Sequence, residues 1–202
     1  DEIEFFSGVR SKKALDESDI IIIVLDADNF FSKQDKQLIN LTITKYKGVI
    51  LFINKWDLTH QTKTQENDIK RIIQSEYPAL KAVKTIFGSA KENKNVHKIF
   101  SEIEAILEGM SFRIVTSQLN KIIKDMEMRF PPPSKNGKSL RVYYATQAES
   151  NPVHIIFFVN HTYLISKSYR SFIEKKLKDY IPTIKESPIK LTFKGHREPK
   201  AS

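Results

Sequence analysis

The chain has no cysteine, so disulfides and thiolate metal sites are both excluded. That is compatible with a reducing cytosol, and a cytoplasmic location is expected. Long apolar runs are also missing. The two longest, Ile20 to Leu25 and Gly48 to Ile53, are far too short to cross a bilayer. No signal peptide opens the sequence, and no membrane partner is expected. The five histidines lack metal-ligand spacing and read as surface residues. Nowhere does G-x-x-x-x-G-K-[ST] occur, so the sequence has no backbone cradle for phosphates and no hydroxyl for Mg²⁺. The first residue is Asp1 rather than methionine, which suggests further residues upstream.

What is present is enough to build a core: 40% of the 202 residues are apolar. The net charge of +9 is unevenly placed. Residues 1–110 hold 16 Lys+Arg against 17 Asp+Glu, whereas residues 111–202 hold 17 against 7. A neutral half joined to a basic half suggests one part for a small ligand and another for a polyanion.

Periodicity divides the chain at the same place. In residues 1–110, Phe6 to Leu15 reads as the end of a helix. Ile20 to Leu25 is a β-branched run suited to a strand buried on both faces. Gln34 to Tyr46 is helical, Gly48 to Ile53 is a second buried strand, and Gln65 to Glu76 is a helix stopped by Pro78. Val83 to Phe87 is a third strand. Val96, Ile99, Phe100, Ile103, Ile106 and Leu107 mark an amphipathic helix. Strands alternating with helices predict a parallel sheet covered on both faces. From residue 111 the predicted order is α-β-β-α-β. A helix carries Val115, Leu119, Ile122, Ile123 and Met126. Pro131 to Ser134 ends it, and Asn136-Gly137 is a turn signal. Strands Leu140 to Gln147 and Val153 to Asn160 form a hairpin. A helix Leu164 to Tyr180 and a strand Ile189 to Phe193 complete an α+β sandwich over 111–195. Residues 196–202 read as a disordered basic tail.

Asn54-Lys55-Trp56-Asp57 directly follows the second strand, where ligands bind in open α/β sheets. An ionised Asp only accepts hydrogen bonds, so Asp57 suits the N1–H and exocyclic amine of guanine. Adenine would leave that carboxylate unpaired, at roughly 1–3 kcal/mol. Asn54 can brace the loop, and the stem of Lys55 can lie along a purine. Gly88-Ser89-Ala90-Lys91 follows the third strand. Its Ala90 N–H suits guanine O6, and Lys91 suits the other base face. Asp26, closing the first strand, reads as a loop-ordering residue without a ligand role.

Six stretches in this order carry a family resemblance: Asn54–Asp57, Ser89–Lys91, Pro131–Ser134, Tyr143-Tyr144-Ala145-Thr146-Gln147, Phe157-Phe158-Val159-Asn160 and Ser168-Tyr169-Arg170. Together they closely resemble the bacterial EngA/Der double-GTPase family. The Tyr143–Gln147 and Phe157–Asn160 stretches are its specific part. The resemblance implies an α/β fold: a partial P-loop-type GTPase domain with a parallel sheet over 1–110, then a KH-like domain over 111–195. It implies a GTP-binding and GTP-hydrolysing factor in assembly of the large ribosomal subunit. Asn54, Lys55, Asp57, Ser89, Ala90 and Lys91 would line the guanine pocket, and Trp56 is counted with them. The cofactor would be GTP or GDP, with Mg²⁺ only where a phosphate loop is present. The partners would be the large subunit and its ribosomal RNA, and the protein would be a monomer. The family's glycines after Ser-Ala are absent from Lys91-Glu92-Asn93-Lys94-Asn95, which predicts a stiffer loop. Without a neighbouring strand before a phosphate loop, Ile20–Leu25 would be an open edge. A molecule of this length alone is expected to dissolve poorly and not to hydrolyse GTP.

KH domains clamp nucleic acid with a GXXG loop, and none is present here. The candidate RNA contact is instead a basic stripe on the helix Leu164–Tyr180: Lys167, Arg170, Lys175 and Lys178. One competing reading is a non-catalytic fragment that binds ribosomal RNA without nucleotide chemistry. Another is a GTPase with one G domain and a true KH domain, against which the missing GXXG and the Tyr143–Gln147 stretch both argue.

Overall fold

The computed structural model describes residues 13–28, 31–59, 63–80 and 83–195. Most of the expected helix Phe6–Leu15 and the whole tail 196–202 lie outside them; residues 13–17 are helical. The chain divides into two compact units, Asp1–Leu107 and Glu108–Ser202.

In the first unit the strands β1 (Ile20–Asp26), β2 (Gly48–Asn54) and β3 (Lys84–Phe87) pair in parallel in the order β1-β2-β3. Helices α1 (Lys33–Thr44) and α2 (Lys63–Glu76) alternate with them, and α3 (Lys98–Ser111) follows β3 and runs on past Leu107. The N-terminus of α1 is fixed by a capping box. Ser32 Oγ accepts the Asp35 N–H at 3.2 Å, and Asp35 Oδ2 accepts the Ser32 N–H at 2.9 Å. Ile23, Leu25, Leu51 and Ile53 from the strands meet Ile39 of α1 and Ile69 and Ile73 of α2 in one apolar cluster.

Strand β2 is buried along six of its seven residues, but β1 is not buried on both faces: Ile22 is 40% exposed and Val24 57%. The reason is position. Strand β2 lies between two strands, whereas β1 pairs only with β2 among the described residues. The β-branched run of β1 therefore reports strand propensity more than burial.

The second unit contains α4 (Thr116–Arg129), the short strands β4 (Ser134–Lys135) and β5 (Lys138–Ser139), then β6 (Val142–Glu149), β7 (Val153–Val159), α5 (Lys167–Tyr180) and β8 (Ile189–Gly195). Strands β6 and β7 are antiparallel, and β8 joins β7 in parallel after the α5 crossover. Alternate residues of β7, Val153, Ile155, Phe157 and Val159, are buried in one cluster with Leu119, Ile123 and Met126 of α4 and Ile173 and Leu177 of α5. The period of two in the strand and of 3.6 in the helices therefore meet on a single apolar surface.

Two side-chain amides fasten α4 and its approach to β6. Asn120 donates to the Ala145 carbonyl and accepts the Ala145 N–H, both at 2.8 Å. Gln147 accepts the Ile114 N–H at 2.9 Å and donates to the Phe112 carbonyl at 2.8 Å. Each amide presents a donor and an acceptor as a neighbouring strand would, which blunts the edge of β6. His154, read as a surface residue, is only 8% exposed, and its Nε2 shares a 2.9 Å hydrogen bond with Thr192 Oγ1.

Candidate functional site

Parallel strands β2 and β3 end side by side, and their carboxyl ends release the two loops singled out in the sequence. At the end of β2, Lys55 adopts the left-handed conformation (φ 59°, ψ 29°) and turns the chain into a 3-10 turn, Trp56–Leu58. Trp56 is not a pocket residue. It is 3% exposed, and its ring centroid lies 4.7 Å from that of Phe87. Its indole anchors the loop in the core, while its backbone N–H donates to the Gly88 carbonyl at 3.0 Å. The loop's polar residues stay at the surface: Asn54 and Asp57 are half-buried and Lys55 is exposed.

Gly88 opens the second loop, and only glycine fits there. A Cβ would stand 2.5 Å from the Lys94 carbonyl oxygen and 2.7 Å from the Phe52 ring. Ser89 is fully buried. Its N–H donates to Lys94 O at 3.1 Å, the Lys94 N–H donates to Ser89 O at 2.9 Å, and its Oγ accepts the Glu92 N–H at 3.2 Å. The loop closes on itself and leaves Ala90 and Lys91 exposed. Asn93 and Asn95 supply the left-handed conformations, with φ of 53° and 60°. Asparagine tolerates that region better than other non-glycine residues, so the loop closes without glycine. Asn95 also donates to the Phe87 carbonyl at 2.7 Å. In the sequence this stretch is marked by its missing glycines, and Asn at alternate positions of a polar turn is the signal for the left-handed residues that replace them.

The two loops are joined directly. Asn54 Oδ1 accepts the Ala90 N–H at 2.9 Å. The donor assigned from sequence to guanine O6 is therefore held by Asn54 here. Asp26 orders the neighbouring loop: its Oδ1 accepts the Asp28 N–H at 3.1 Å, and its Oδ2 pairs with Lys55 Nζ at 2.5 Å. The Lys55 hydrogen bond, then the Asp28 N–H, hold the Asp26 carboxyl below the usual range. Asp26 in turn raises the ammonium of Lys55 above its ordinary value. The aliphatic stem of Lys55 is thus tethered at its charged end. An acceptor-only carboxylate, a tethered aliphatic stem and a braced amide form a donor and acceptor set that fits a guanine base.

The four cations on α5 do not form the even stripe expected. Arg170 donates to the Leu191 carbonyl and lies 5.1 Å from the centroid of the Phe193 ring. Lys178 pairs with Glu174 at 3.3 Å, and its side chain is only 15% exposed. Both are occupied because helical periodicity swings them toward β8 and the acidic position one turn back. Lys167 and Lys175 are exposed and carry no ion pair among the described residues.

Comparison with known proteins agrees with this architecture. Residues 4–109 match the elongation factor Tu GTP binding domain family. Residues 113–194 match the KH-domain-like C-terminal domain of EngA bacterial GTPase enzymes. GTPase Der of Finegoldia magna is 34% identical over 193 residues, covering 96% of this chain and 44% of that protein. GTPase Der of Clostridium acetobutylicum is 34% identical over 198 residues, covering 98% and 45%. The chain therefore spans less than half the length of these curated relatives. Aquifex aeolicus Era bound to GDP and AlF4− superimposes with a TM-score of 0.42 at 17% identity, over 94% of this chain and 69% of that one, a likeness too distant to bear on the site. From the two matched domains in this order, and from the extent of the relatives' identity, the chain belongs to the EngA/Der family of GTPases, carrying part of a GTP-binding α/β domain followed by the family's KH-like domain.

Proposed function

We propose that this chain is the guanine-recognising and RNA-contacting part of a GTP-binding and GTP-hydrolysing factor. That factor assembles the large ribosomal subunit in the cytoplasm and acts as a monomer. Residues 1–110 form the later half of its G domain, and 111–195 form its KH-like domain. The bond from the Ala90 N–H to Asn54 Oδ1 carries the reading, because it brings two loops together at the carboxyl ends of adjacent parallel strands.

In this reading Asp57 accepts the N1–H and exocyclic amine of guanine. Asn54 holds the second loop in register and shares the Ala90 N–H with guanine O6 as the base enters. Lys55 and Lys91 lay their stems on opposite faces of the ring. Ser89, wholly buried, keeps the second loop closed. Trp56 contributes through packing rather than contact. GTP and GDP share these base contacts, so the loops choose the base and leave the phosphates to other residues. Mg²⁺ belongs with a phosphate loop, a motif this sequence does not contain, and no hydrolytic step is assigned to the residues named here. RNA contact falls to the basic half, with Lys167 and Lys175 as the candidates that remain exposed on α5.

Competition between GDP and ADP for a fluorescent guanine nucleotide tests the base assignment. GDP should displace it and ADP should not, and Asp57→Ala should weaken GDP by roughly tenfold or more, at 1.4 kcal/mol per tenfold. Displacement by neither nucleotide would leave the chain as a ribosomal-RNA-binding module only, and equal displacement by both would overturn the assignment of guanine specificity to Asp57.

A further inference from the structure

Between α4 and β6 stands a small hairpin. Strands β4 and β5 are two residues each, with Ser134 opposite Ser139 and Lys135 opposite Lys138. Asn136 (φ 52°) and Gly137 (φ 72°) form the turn. An Asn-Gly turn with both φ positive matches the right-handed twist of paired strands, so so short a hairpin still has one geometry.

Its base is anchored. Leu140 is buried in the core, and its N–H donates to the Pro133 carbonyl at 2.9 Å. Asn160, at the end of β7, donates to the Ser139 carbonyl and accepts the Arg141 N–H, each at 2.9 Å. The tip, by contrast, is open: residues 134–139 are all exposed, and a Cβ on Gly137 would meet no atom within 4 Å.

The charges on this hairpin do not serve the fold. Like charges directly opposite on a two-stranded ladder are destabilising, and an acid opposite a lysine would do better. Yet Lys135 faces Lys138, and neither has an ion-pair partner among the described residues. Arg141 continues the basic surface, lying 5.3 Å from the centroid of the Tyr143 ring. Arg141 acts electrostatically on Glu127, which accepts the Val142 N–H at 3.3 Å. Lys176 of α5, by contrast, pairs with Asp179 and stands 4.2 Å from the centroid of the Phe130 ring.

We infer that the β4–β5 hairpin is a preformed contact for the phosphodiester backbone of RNA, with Lys135 and Lys138 as the phosphate-binding pair. The inference rests on the RNA-contacting reading of this domain and deepens it. Opposed Cβ atoms on a ladder are about 4.5–5.5 Å apart, which lets two lysine ammoniums reach adjacent phosphates or straddle one. Their repulsion is relieved when a phosphate arrives, and the rigid hairpin loses little entropy on binding. No apolar side chain stands at the tip, so the hairpin lacks what a lipid-inserting element needs.

The test is fluorescence anisotropy of a labelled oligouridine with the full chain, titrated across KCl. Wild type is compared with Lys135→Gln/Lys138→Gln, Lys135→Glu/Lys138→Glu and Lys167→Glu/Lys175→Glu, each checked by thermal unfolding. Neutralising the hairpin should lower affinity roughly tenfold at low salt and make the salt slope shallower by about 1.4, at about 0.7 per single-strand phosphate. Charge reversal should lower affinity further, and GDP binding should not change. Wild-type RNA affinity and slope in both hairpin variants, with the α5 variant weakened, would overturn the hairpin inference alone. No RNA binding by wild type would overturn the RNA reading beneath it. Loss of binding to phosphatidylglycerol vesicles with RNA binding intact would reassign the hairpin to lipid and overturn the inference.

Discussion

Asn54 and Ala90, thirty-six residues apart, are joined by a 2.9 Å hydrogen bond from the Ala90 N–H to the Asn54 side chain. Neither loop holds this geometry alone. The first is turned by a left-handed Lys55 and anchored by the buried Trp56 indole. The second is closed by the reciprocal Ser89–Lys94 backbone bonds. Asn54→Ala removes the tie and leaves both anchors. Its expected stability loss is about 0.5–1.5 kcal/mol, with a roughly tenfold loss of GDP affinity. Calorimetric titration and thermal unfolding of the same preparation separate the two effects.

Gly88→Ala attacks the same loop through space rather than bonding. The new methyl carbon would sit 2.5 Å from the Lys94 carbonyl, a backbone atom that cannot rotate away. Overpacking of this kind costs about 1–3 kcal/mol. Urea unfolding should show a lower midpoint with an unchanged slope, and GDP binding should weaken because the Ser89–Lys94 closure must shift.

In the second unit, Gln147→Leu keeps the volume and removes both partners of the Phe112–Ile114 segment. The Ile114 N–H and the Phe112 carbonyl then lose their bonds to the amide. A loss of about 1–3 kcal/mol is expected for each group left unsatisfied. Amide hydrogen exchange at Ile114 should accelerate well beyond that of β7.

Tyr169 gives this unit an alkaline limit. Burial, followed by the nearby Glu127 charge, pushes its phenol up to about 12. The folded value exceeds the unfolded one, so its contribution is complete below about pH 10 and is lost as pH rises toward 12. Thermal midpoints should fall across that window, and Tyr169→Phe should flatten the fall.

Much of this was readable in the sequence because it depends on local regularities. β-branched runs and 3.6-residue periodicity located the three parallel strands, the long helices and the α-β-β-α-β order, since each element must turn an apolar face to a core. Asn54–Asp57 and Gly88–Lys91 were visible as polar runs at strand ends. Other features depend on which element lies next to which. Packing against Phe87 sent Trp56 into the core. The edge position of β1 left Ile22 and Val24 exposed, and the proximity of β8 engaged Arg170. Pairing with Thr192 across the sheet buried His154. The Asn136-Gly137 signal marked a turn, but only the tertiary structure set Lys135 directly opposite Lys138 on an anchored ladder. Sequence periodicity reports what each segment wants to bury; the neighbour that satisfies it, and the charge left over, are settled only when the segments meet.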